Sequence, residues 1–310
     1  MTLRLIGVLA VAAWIPTSAQ NGVPRAADGR PDLSGVWTNK TVTPFERPRD
    51  LAGKEFFTEQ EAAEYEKTHV FDVDKRDNIR GTNRDVASAY NSFWWDPGTK
   101  VAKTRRTSIV IDPPDGRIPP LTAERQKQLQ EMAEARRRRC EKPGCEPENS
   151  GQLGPADGPE DRPLIVQTPG LVGIDIEMVH RMRRIPIDET PHLPSHVREW
   201  VGDSRGHWEG DTLVVDTTNF NNLESFRGSD ENLHLIEQLT RIDADTIIYR
   251  FTIDDPTAFT KPWTGEIPFV KSDGLLYEYA CHEGNEGMKG ILSAARADEK
   301  RAAAASVAHQ

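Results

Sequence analysis

Between Gly206 and Glu283 the sequence alternates between apolar and polar residues in short runs, and turn-forming residues separate one run from the next. In the run 246–254 every odd-numbered position is apolar or aromatic, whereas Arg250 and Thr252 lie among the even-numbered positions. A period of two is typical of a strand with one buried face. Runs of this kind predict an antiparallel meander, and they cover residues 207–218, 233–242, 246–254, 263–270 and 275–283.

Further strand patterns precede the meander at residues 107–111, 164–167, 171–179 and 180–187. Together with a first strand at Trp37 they give roughly nine or ten strands, nearly all joined by turns rather than helices. Antiparallel strands in that number hide their edges by closing into a barrel or by stacking as a sandwich. We therefore predict an all-β, mainly antiparallel barrel or sandwich.

Two short helical insertions interrupt the strands. Thr58 and Glu61 form a capping-box pattern, which predicts a helix over residues 58–67. Thr122 is a plausible cap for a second helix over 122–139, acidic early and basic late as the helix dipole prefers. We expect a single domain over residues 20–293, followed by an Ala-rich flexible tail over 294–310.

The N-terminus has the pattern of a secretory signal peptide. Arg4 precedes an apolar run over residues 5–15, and Pro16 and the small residues 17–19 follow it. The run is well short of the roughly 20 apolar residues that a spanning helix needs. We therefore predict cleavage after Ala19 and a soluble periplasmic or secreted protein.

The charge and the cysteines add to this assignment. The chain has 49 acidic and 39 basic residues and a formal net charge of −10. An acidic surface repels nucleic acid phosphates and anionic lipids, so neither nucleic acid nor a membrane is an expected partner. Cys140 and Cys145 flank a short Pro-Gly loop and predict a disulfide in an oxidising compartment, with Cys281 left as a thiol.

The motif Gly35-Val36-Trp37 at the start of the first strand, followed by the later meander, resembles the lipocalin-like (calycin) barrels. In those barrels the tryptophan closes one end by packing. Residues 29–37, 111–120, 202–220 and 278–285 are also similar to a large family of exported proteins of environmental bacteria. These resemblances imply export and a lipocalin-like, β-rich fold, and they assign no catalytic residues.

The last run of the meander contains the first catalytic candidates. On a strand, His282 and Glu278 would share one face, about 13 Å apart. The opposite face would carry an aromatic set with one carboxylate, namely Tyr277, Tyr279, Cys281 and Glu283. Either face is compatible with a barrel interior. We favour His282 and Glu278 inside, as an acid–base pair, because burying both is costly unless they are paired or used.

The run 233–242 contains two further candidates, His234 and Glu237, on opposite faces. Glu237 shares its face with Arg241 and several leucines, so it is either a buried carboxylate paired with an arginine or part of an ordinary ion pair at an edge. A carboxylate among leucines is one way in which proteins make a general acid. The four catalytic candidates are therefore His282, Glu278, His234 and Glu237.

Aromatic residues predict an apolar ligand pocket, although aromatic side chains in a barrel are also ordinary core. The ligand-binding candidates are Trp37, Trp95, Trp208, Arg241, Trp263 and Tyr279. No cofactor is predicted. His192 and His196 are four residues apart, but Pro191 and Pro194 exclude the helix that a zinc-binding pair of this spacing needs. A metal site that also includes His180 is left as an alternative.

These observations favour an exported small-molecule-binding barrel. One hypothesis is a cofactor-independent hydrolase or lyase that uses His/Glu acid–base chemistry on a partly apolar substrate. The other is a non-catalytic carrier or sequestering protein of lipocalin type. A third, an interaction partner for another exported protein, would need a large apolar surface patch.

Overall fold

The structure is a computed structural model that describes residues 22–69, 98–139, 162–176, 181–222, 226–276 and 286–308. The predicted signal peptide, Cys140, Cys145, Cys281 and the run 277–283 lie outside these residues. Ten strands are described: β1 Gly35–Thr38, β2 Val110–Asp112, β3 Pro163–Thr168, β4 Leu171–Ile176, β5 Arg181–Pro186, β6 Asp203–Glu209, β7 Thr212–Thr218, β8 His234–Arg241, β9 Thr246–Asp254 and β10 Trp263–Lys271. The helices are α1 Glu59–His69, α2 Ala123–Arg139 and α3 Glu286–Ala308, with a 3₁₀ turn at Arg49–Leu51.

The strands form one antiparallel sheet in the order β5-β4-β3-β1-β10-β9-β8-β7-β6, and β2 adds to β10. The two terminal strands, β5 and β6, approach each other so closely that a Cβ on Gly206 would lie 2.8 Å from Ile185. The sheet is therefore nearly closed and barrel-like, and the predicted fold class is confirmed. Along β8, partly exposed and buried residues alternate four times, and β9 shows nearly the same alternation. This is the period of two predicted from the sequence.

Trp37 lies at one end of the barrel, which we call the Trp37 end. Its side chain is fully buried, and its indole Nε1 donates a hydrogen bond to the carbonyl oxygen of Leu33 at 2.9 Å. The guanidinium carbon of Arg241 lies 5.1 Å from the Trp37 ring centroid. Arg241 also donates to the backbone carbonyl oxygens of Asp32, Asp243 and Ala244. This residue pair joins the N-terminal segment to the β8–β9 turn.

Trp263 lies at the opposite end, which we call the Trp263 end. It is also fully buried, and ring centroids of neighbouring aromatic residues lie 5.9–6.0 Å from its own. Aromatic rings at this spacing contribute packing beyond their buried area. The neighbours are Phe45, Phe226, Phe251 and Phe259. This end is therefore filled by side chains.

The helices largely follow the predicted pattern. The Thr58 amide donates to the Glu61 carboxylate at 2.8 Å and the Glu61 amide donates to the Thr58 hydroxyl at 3.3 Å, which is the predicted capping box at the start of α1. The Arg125 amide donates to the Thr122 hydroxyl, which caps α2. Helix α3 occupies most of the segment that the sequence was expected to leave as a flexible tail. Among the helices of the described residues, none is long and apolar enough to cross a membrane.

Candidate functional site

The connection between β5 and β6, residues 187–202, forms what we call the crossover loop. The strand registers place the starts of both β5 and β6 at the Trp263 end, so the loop must return along the barrel between them. It runs beside β6: the Arg205 guanidinium donates to the carbonyl oxygen of Thr190, and the Leu193 amide donates to the Asp203 carboxylate. Because Ser204 and Gly206 face the barrel interior, Asp203 and Arg205 face outward. The loop therefore lies on the outside of the barrel.

A chain of hydrogen bonds joins this loop to the outer face of three strands. His192 Nδ1 lies 2.9 Å from Asp203 Oδ2, and His192 Nε2 lies 3.0 Å from Asp216 Oδ1. The second oxygen of Asp216, Oδ2, lies 2.9 Å from His234 Nε2. We call these four residues the His–Asp cluster. His192 lies in the crossover loop, Asp203 in β6, Asp216 in β7 and His234 in β8.

Strand periodicity explains why these side chains face outward. In β7, Leu213, Val215 and Thr217 are buried in the barrel, so Asp216 between them projects to the outside. In β8, every second residue from Leu235 onward is buried, which leaves His234 on the outer face. Asp216 and His234 lie near the same ends of neighbouring strands, because Asp216 is opposite Ile236 in the β7–β8 ladder.

Burial within the cluster changes from one end to the other. The Asp203 side chain is 7% exposed and also accepts a hydrogen bond from Arg205 at 2.6 Å. Asp216 is 38% exposed and His234 is similarly half-exposed. A carboxylate only accepts hydrogen bonds, so His192 satisfies both of its partners when both of its ring nitrogens carry protons. The buried end thus anchors the loop, and the exposed end is open to other molecules.

Asp216 and His234 form the exposed end of the cluster. Among the described residues, no partner is found for Nδ1 of His234, whose Nε2 is held by Asp216. A carboxylate that accepts from one ring nitrogen fixes the tautomer and leaves the other nitrogen free to accept a proton. This geometry is that of a general base with a carboxylate partner.

A second polar cluster lies inside the barrel around Glu237, whose side chain is 2% exposed. Arg183 donates to both oxygens of Glu237 at 2.8 and 2.6 Å, and the Tyr249 hydroxyl donates to one of them at 2.7 Å. Arg183 also donates to the hydroxyls of Ser204 and Thr217 at 3.1 Å. Burial alone would lower the pKa of Arg183, but the carboxylate of Glu237 outweighs it, and the pKa is raised above the ordinary arginine value. Glu237 is thus a buried carboxylate paired with an arginine, one of the two alternatives read from the sequence.

The structure separates several residues that the sequence analysis grouped. His234 and Glu237 lie on opposite faces of β8, as predicted, so they do not share a site. The arginine partner of Glu237 is Arg183, not Arg241, whose hydrogen bonds go to backbone carbonyl oxygens. Trp208 is half-buried, with the Arg30 guanidinium 5.7 Å from its ring centroid. His282, Glu278, Trp95 and Tyr279 lie outside the described residues.

The remaining predicted ligand-binding residues, Trp37 and Trp263, are fully buried among other side chains at the two ends of the barrel. His196, a candidate in the alternative metal site, lies exposed on the crossover loop, and His180 lies outside the described residues. Within the described parts of the chain, no group of three or more His, Cys, Asp or Glu residues is arranged to hold a metal ion. Trp37 and Trp263 therefore pack in the core, and half-exposed polar groups lie at the His–Asp cluster.

Sequence reasoning did not bring Asp203 and Asp216 into the site. The alternation of β7 places Asp216 outward, and that of β8 does the same for His234, so their shared face could be read from the sequence. The path of the crossover loop could not be predicted from the sequence, because His192 meets Asp216 only after β5, β6 and β7 have been placed. The cluster is therefore a product of the topology.

A small cleft at the Trp263 end adjoins the cluster, and we call it the aromatic cleft. It is lined by Trp200, Phe220, Asn221, Phe226, Ser229, Asp230 and Leu233. Trp200 belongs to the crossover loop that carries His192, and Leu233 directly precedes His234. The cleft is partly open to solvent, and the space in it that the centre of a water molecule can occupy is ≈ 10 Å³, the room of about one water molecule. The cleft is thus joined along the chain to the crossover loop and to β8, which carry His192 and His234.

No protein-family model, curated protein sequence or solved structure matches this chain.

Proposed function

We propose that this chain is an exported small-molecule-binding barrel protein that acts, without a cofactor, as a hydrolase or lyase on a partly apolar substrate. The barrel-like fold is compatible with ligand binding. The acid–base chemistry expected from the sequence is assigned to the outer face of the barrel, at His234 and Asp216, with His192 and Asp203 holding Asp216 in place.

Asp216 carries this proposal, because it accepts hydrogen bonds from two imidazoles at once. His192 occupies one carboxylate oxygen at 3.0 Å and His234 occupies the other at 2.9 Å. The bond to His192 restrains the rotation of the carboxylate, so the second oxygen stays directed at His234. A base held in this way needs little rearrangement during a reaction, which is the main advantage of a preorganised site.

The chemistry then follows from the free nitrogen of His234. In a hydrolysis, Nδ1 takes a proton from a water molecule while the water oxygen bonds to the electrophilic carbon of the substrate. The resulting imidazolium is stabilised by Asp216, and it returns the proton to the leaving group as the bond to that group breaks. In a lyase reaction the same nitrogen takes a proton from carbon, the electron pair of the C–H bond forms the new double bond, and the leaving group departs with the electron pair of the bond that breaks.

The test is turnover of a panel of activated aryl esters and of β-elimination substrates by wild-type protein and by His234→Gln and Asp216→Asn. General acid–base groups contribute about 10²–10⁴-fold, so each variant should lower kcat by at least ~10²-fold. His207→Gln is the matched control, because His207 is also an outward-facing histidine with a carboxylate partner, Glu209, but lies toward the opposite end of β6. A His234→Gln variant as active as the wild type would refute the assignment.

A non-catalytic lipocalin-like carrier is the second candidate function, and the aromatic cleft favours it. Trp200 and Phe220 offer apolar surface that can hold a ligand whether or not a reaction follows. Saturable binding without any product from a bound ligand would select the carrier. Product formation that depends on His234 would select the enzyme.

A further inference from the structure

We propose that the aromatic cleft is the recognition site of this protein, and that it takes a small planar apolar ring bearing one neutral hydrogen-bonding substituent, as in a phenol. The ligand class extends the proposed function. Any reaction of the ligand rests on that proposed function, whereas its binding to the cleft does not. Binding to the cleft is measurable without turnover, so the two proposals can fail separately.

The apolar part of the ligand class follows from the walls of the cleft. Trp200 is 55% exposed, an unusual state for so large an apolar side chain. Phe226 is almost fully buried behind it, and Phe220 packs against the barrel core. Since the cleft has room for only about one water molecule, a ring would lie against the exposed indole of Trp200, not inside the protein. Offset stacking of two aromatic rings satisfies this geometry.

The polar part of the ligand class follows from Ser229. Its side chain is fully buried, and its hydroxyl oxygen has no hydrogen-bond partner among the described residues. The backbone amide and carbonyl of Ser229 are already paired with Phe226 at 2.9 and 2.8 Å, so the position of the side chain is fixed. Buried polar groups are nearly always paired, and an unpaired one is destabilising. A substituent of the size of one water molecule would fill the space in the cleft and supply a hydrogen-bond partner for the Ser229 hydroxyl.

The neutral character of the substituent follows from the charges around the cleft. Among the described residues that line the cleft, Asp230 is the one ionisable residue, and Arg125 already pairs with it at 2.7 Å. Arg125 also donates to the carbonyl oxygen of Gly228, so it is held away from an incoming ligand. A charged substituent would therefore enter a partly buried space that offers no free opposite charge, which is costly. A hydroxyl or carbonyl group meets no such penalty.

The same anchors position the cleft and the His–Asp cluster. The Glu199 amide donates to the Asn219 carbonyl oxygen at 2.9 Å, and the Asn221 amide donates to the Glu199 carbonyl oxygen at 3.0 Å. These bonds fix Trp200 beside Phe220. Asn219 also donates to the carbonyl oxygen of Leu193, the residue after His192. A ring on Trp200 would thus lie beside the segment that presents the acid–base groups.

The experiment compares the binding of p-cresol, toluene and benzoate to wild-type protein by ligand-observed NMR titration. We expect saturable binding of p-cresol, weaker binding of toluene, and the weakest binding of benzoate. Trp200→Ala should weaken p-cresol binding by at least tenfold, whereas Phe56→Ala, which removes another half-exposed aromatic side chain elsewhere on the surface, should leave it unchanged.

Ser229→Ala separates the polar contact from the apolar one. It should abolish the preference for p-cresol over toluene while leaving toluene binding intact, and its Tm should equal or exceed that of the wild type because an unpaired hydroxyl has been removed. Equal affinities of the wild type for p-cresol and toluene, or p-cresol binding that survives Trp200→Ala, would overturn the proposal. His234→Gln should bind p-cresol normally, so a failure of the catalytic assignment would leave this result in place.

Discussion

Removing the carboxylate charge of Glu237 should destabilise the barrel strongly. Glu237→Gln is the smallest change that removes this charge. The Glu237 side chain is 2% exposed and its partner Arg183 is 13% exposed, so neither charge has ready access to water. Three hydrogen bonds converge on the carboxylate, two from Arg183 and one from Tyr249. The glutamine keeps the shape of the side chain but leaves the Arg183 charge buried without a counter-charge.

The magnitude follows from that uncompensated charge. Breaking a buried ion pair by removing one partner costs about 3–5 kcal/mol, and the amide oxygen of glutamine can still accept one bond, so we expect about 3 kcal/mol. A protein of this size loses roughly 2–4 °C of Tm for each kcal/mol, so Tm should fall by about 6–12 °C. The variant removes the Glu237 carboxylate that raises the pKa of Arg183. Arginine nevertheless stays protonated in proteins, so Arg183 cannot escape the penalty by losing its proton.

Thermal and urea unfolding followed by circular dichroism measure the change. The double variant Arg183→Met and Glu237→Leu is the decisive comparison, because replacing both charges by apolar groups is often nearly neutral. Ser204 and Thr217 already lie 3.0 Å apart, so their hydroxyls can pair with each other when Arg183 is gone. Arg184→Met, a change on the exposed face of the same strand, should alter stability by less than about 0.5 kcal/mol. A Glu237→Gln protein within about 2 °C of the wild type, or a double variant less stable than either single one, would contradict this reasoning.

Two further predictions concern packing and pH. Gly265→Ala should destabilise by about 1–3 kcal/mol in urea unfolding, because the new Cβ would lie 2.3 Å from the Phe251 ring; Gly170→Ala, where no atom lies within 4 Å, should be tolerated, and equal effects would contradict the packing argument. The Lys54 ammonium is the main cause that lowers the pKa of Glu61 to about 2. The stabilisation of the fold by the Lys54–Glu61 ion pair is therefore present above the usual glutamate pKa and is lost as the pH falls toward 2. An NMR titration should show this pKa rising in Lys54→Met, and an unchanged value would exclude the assigned cause.

The strands of the barrel could be predicted because each buries one face. The run 246–254 was predicted with the bounds of β9, since every odd-numbered position in it is apolar or aromatic. Helix α3 was not predicted, because its Ala-rich C-terminal part was interpreted as a flexible tail, although alanine is the best helix-forming residue. Local patterns thus identified the strands, whose burial is regular, and the two helices that begin with a capping residue, and they did not identify α3.

The partners in the site could not be predicted, because they depend on contacts between distant parts of the chain. Alternation placed Glu237 and His234 on opposite faces of β8, as the structure has them, and it left open which of the two faces inward. It could not identify Arg183 as the partner of Glu237, because the two strands meet only when the barrel closes. Sequence reasoning paired Glu237 with Arg241 because the two share a face, and distance along the strand does not decide between two arginines.

The seam between β5 and β6 explains why polar groups collect in this part of the barrel. The two strands run in the same direction, and within the described residues no backbone hydrogen-bond ladder joins them. Side chains hold the seam instead: Arg183 reaches Glu237 from inside, and His192 and Arg205 fasten the crossover loop from outside. Because charged and imidazole groups replace a ladder here, the proposed acid–base site lies beside the seam of the barrel. A substrate that binds to the crossover loop would thus affect the same hydrogen bonds that close the barrel.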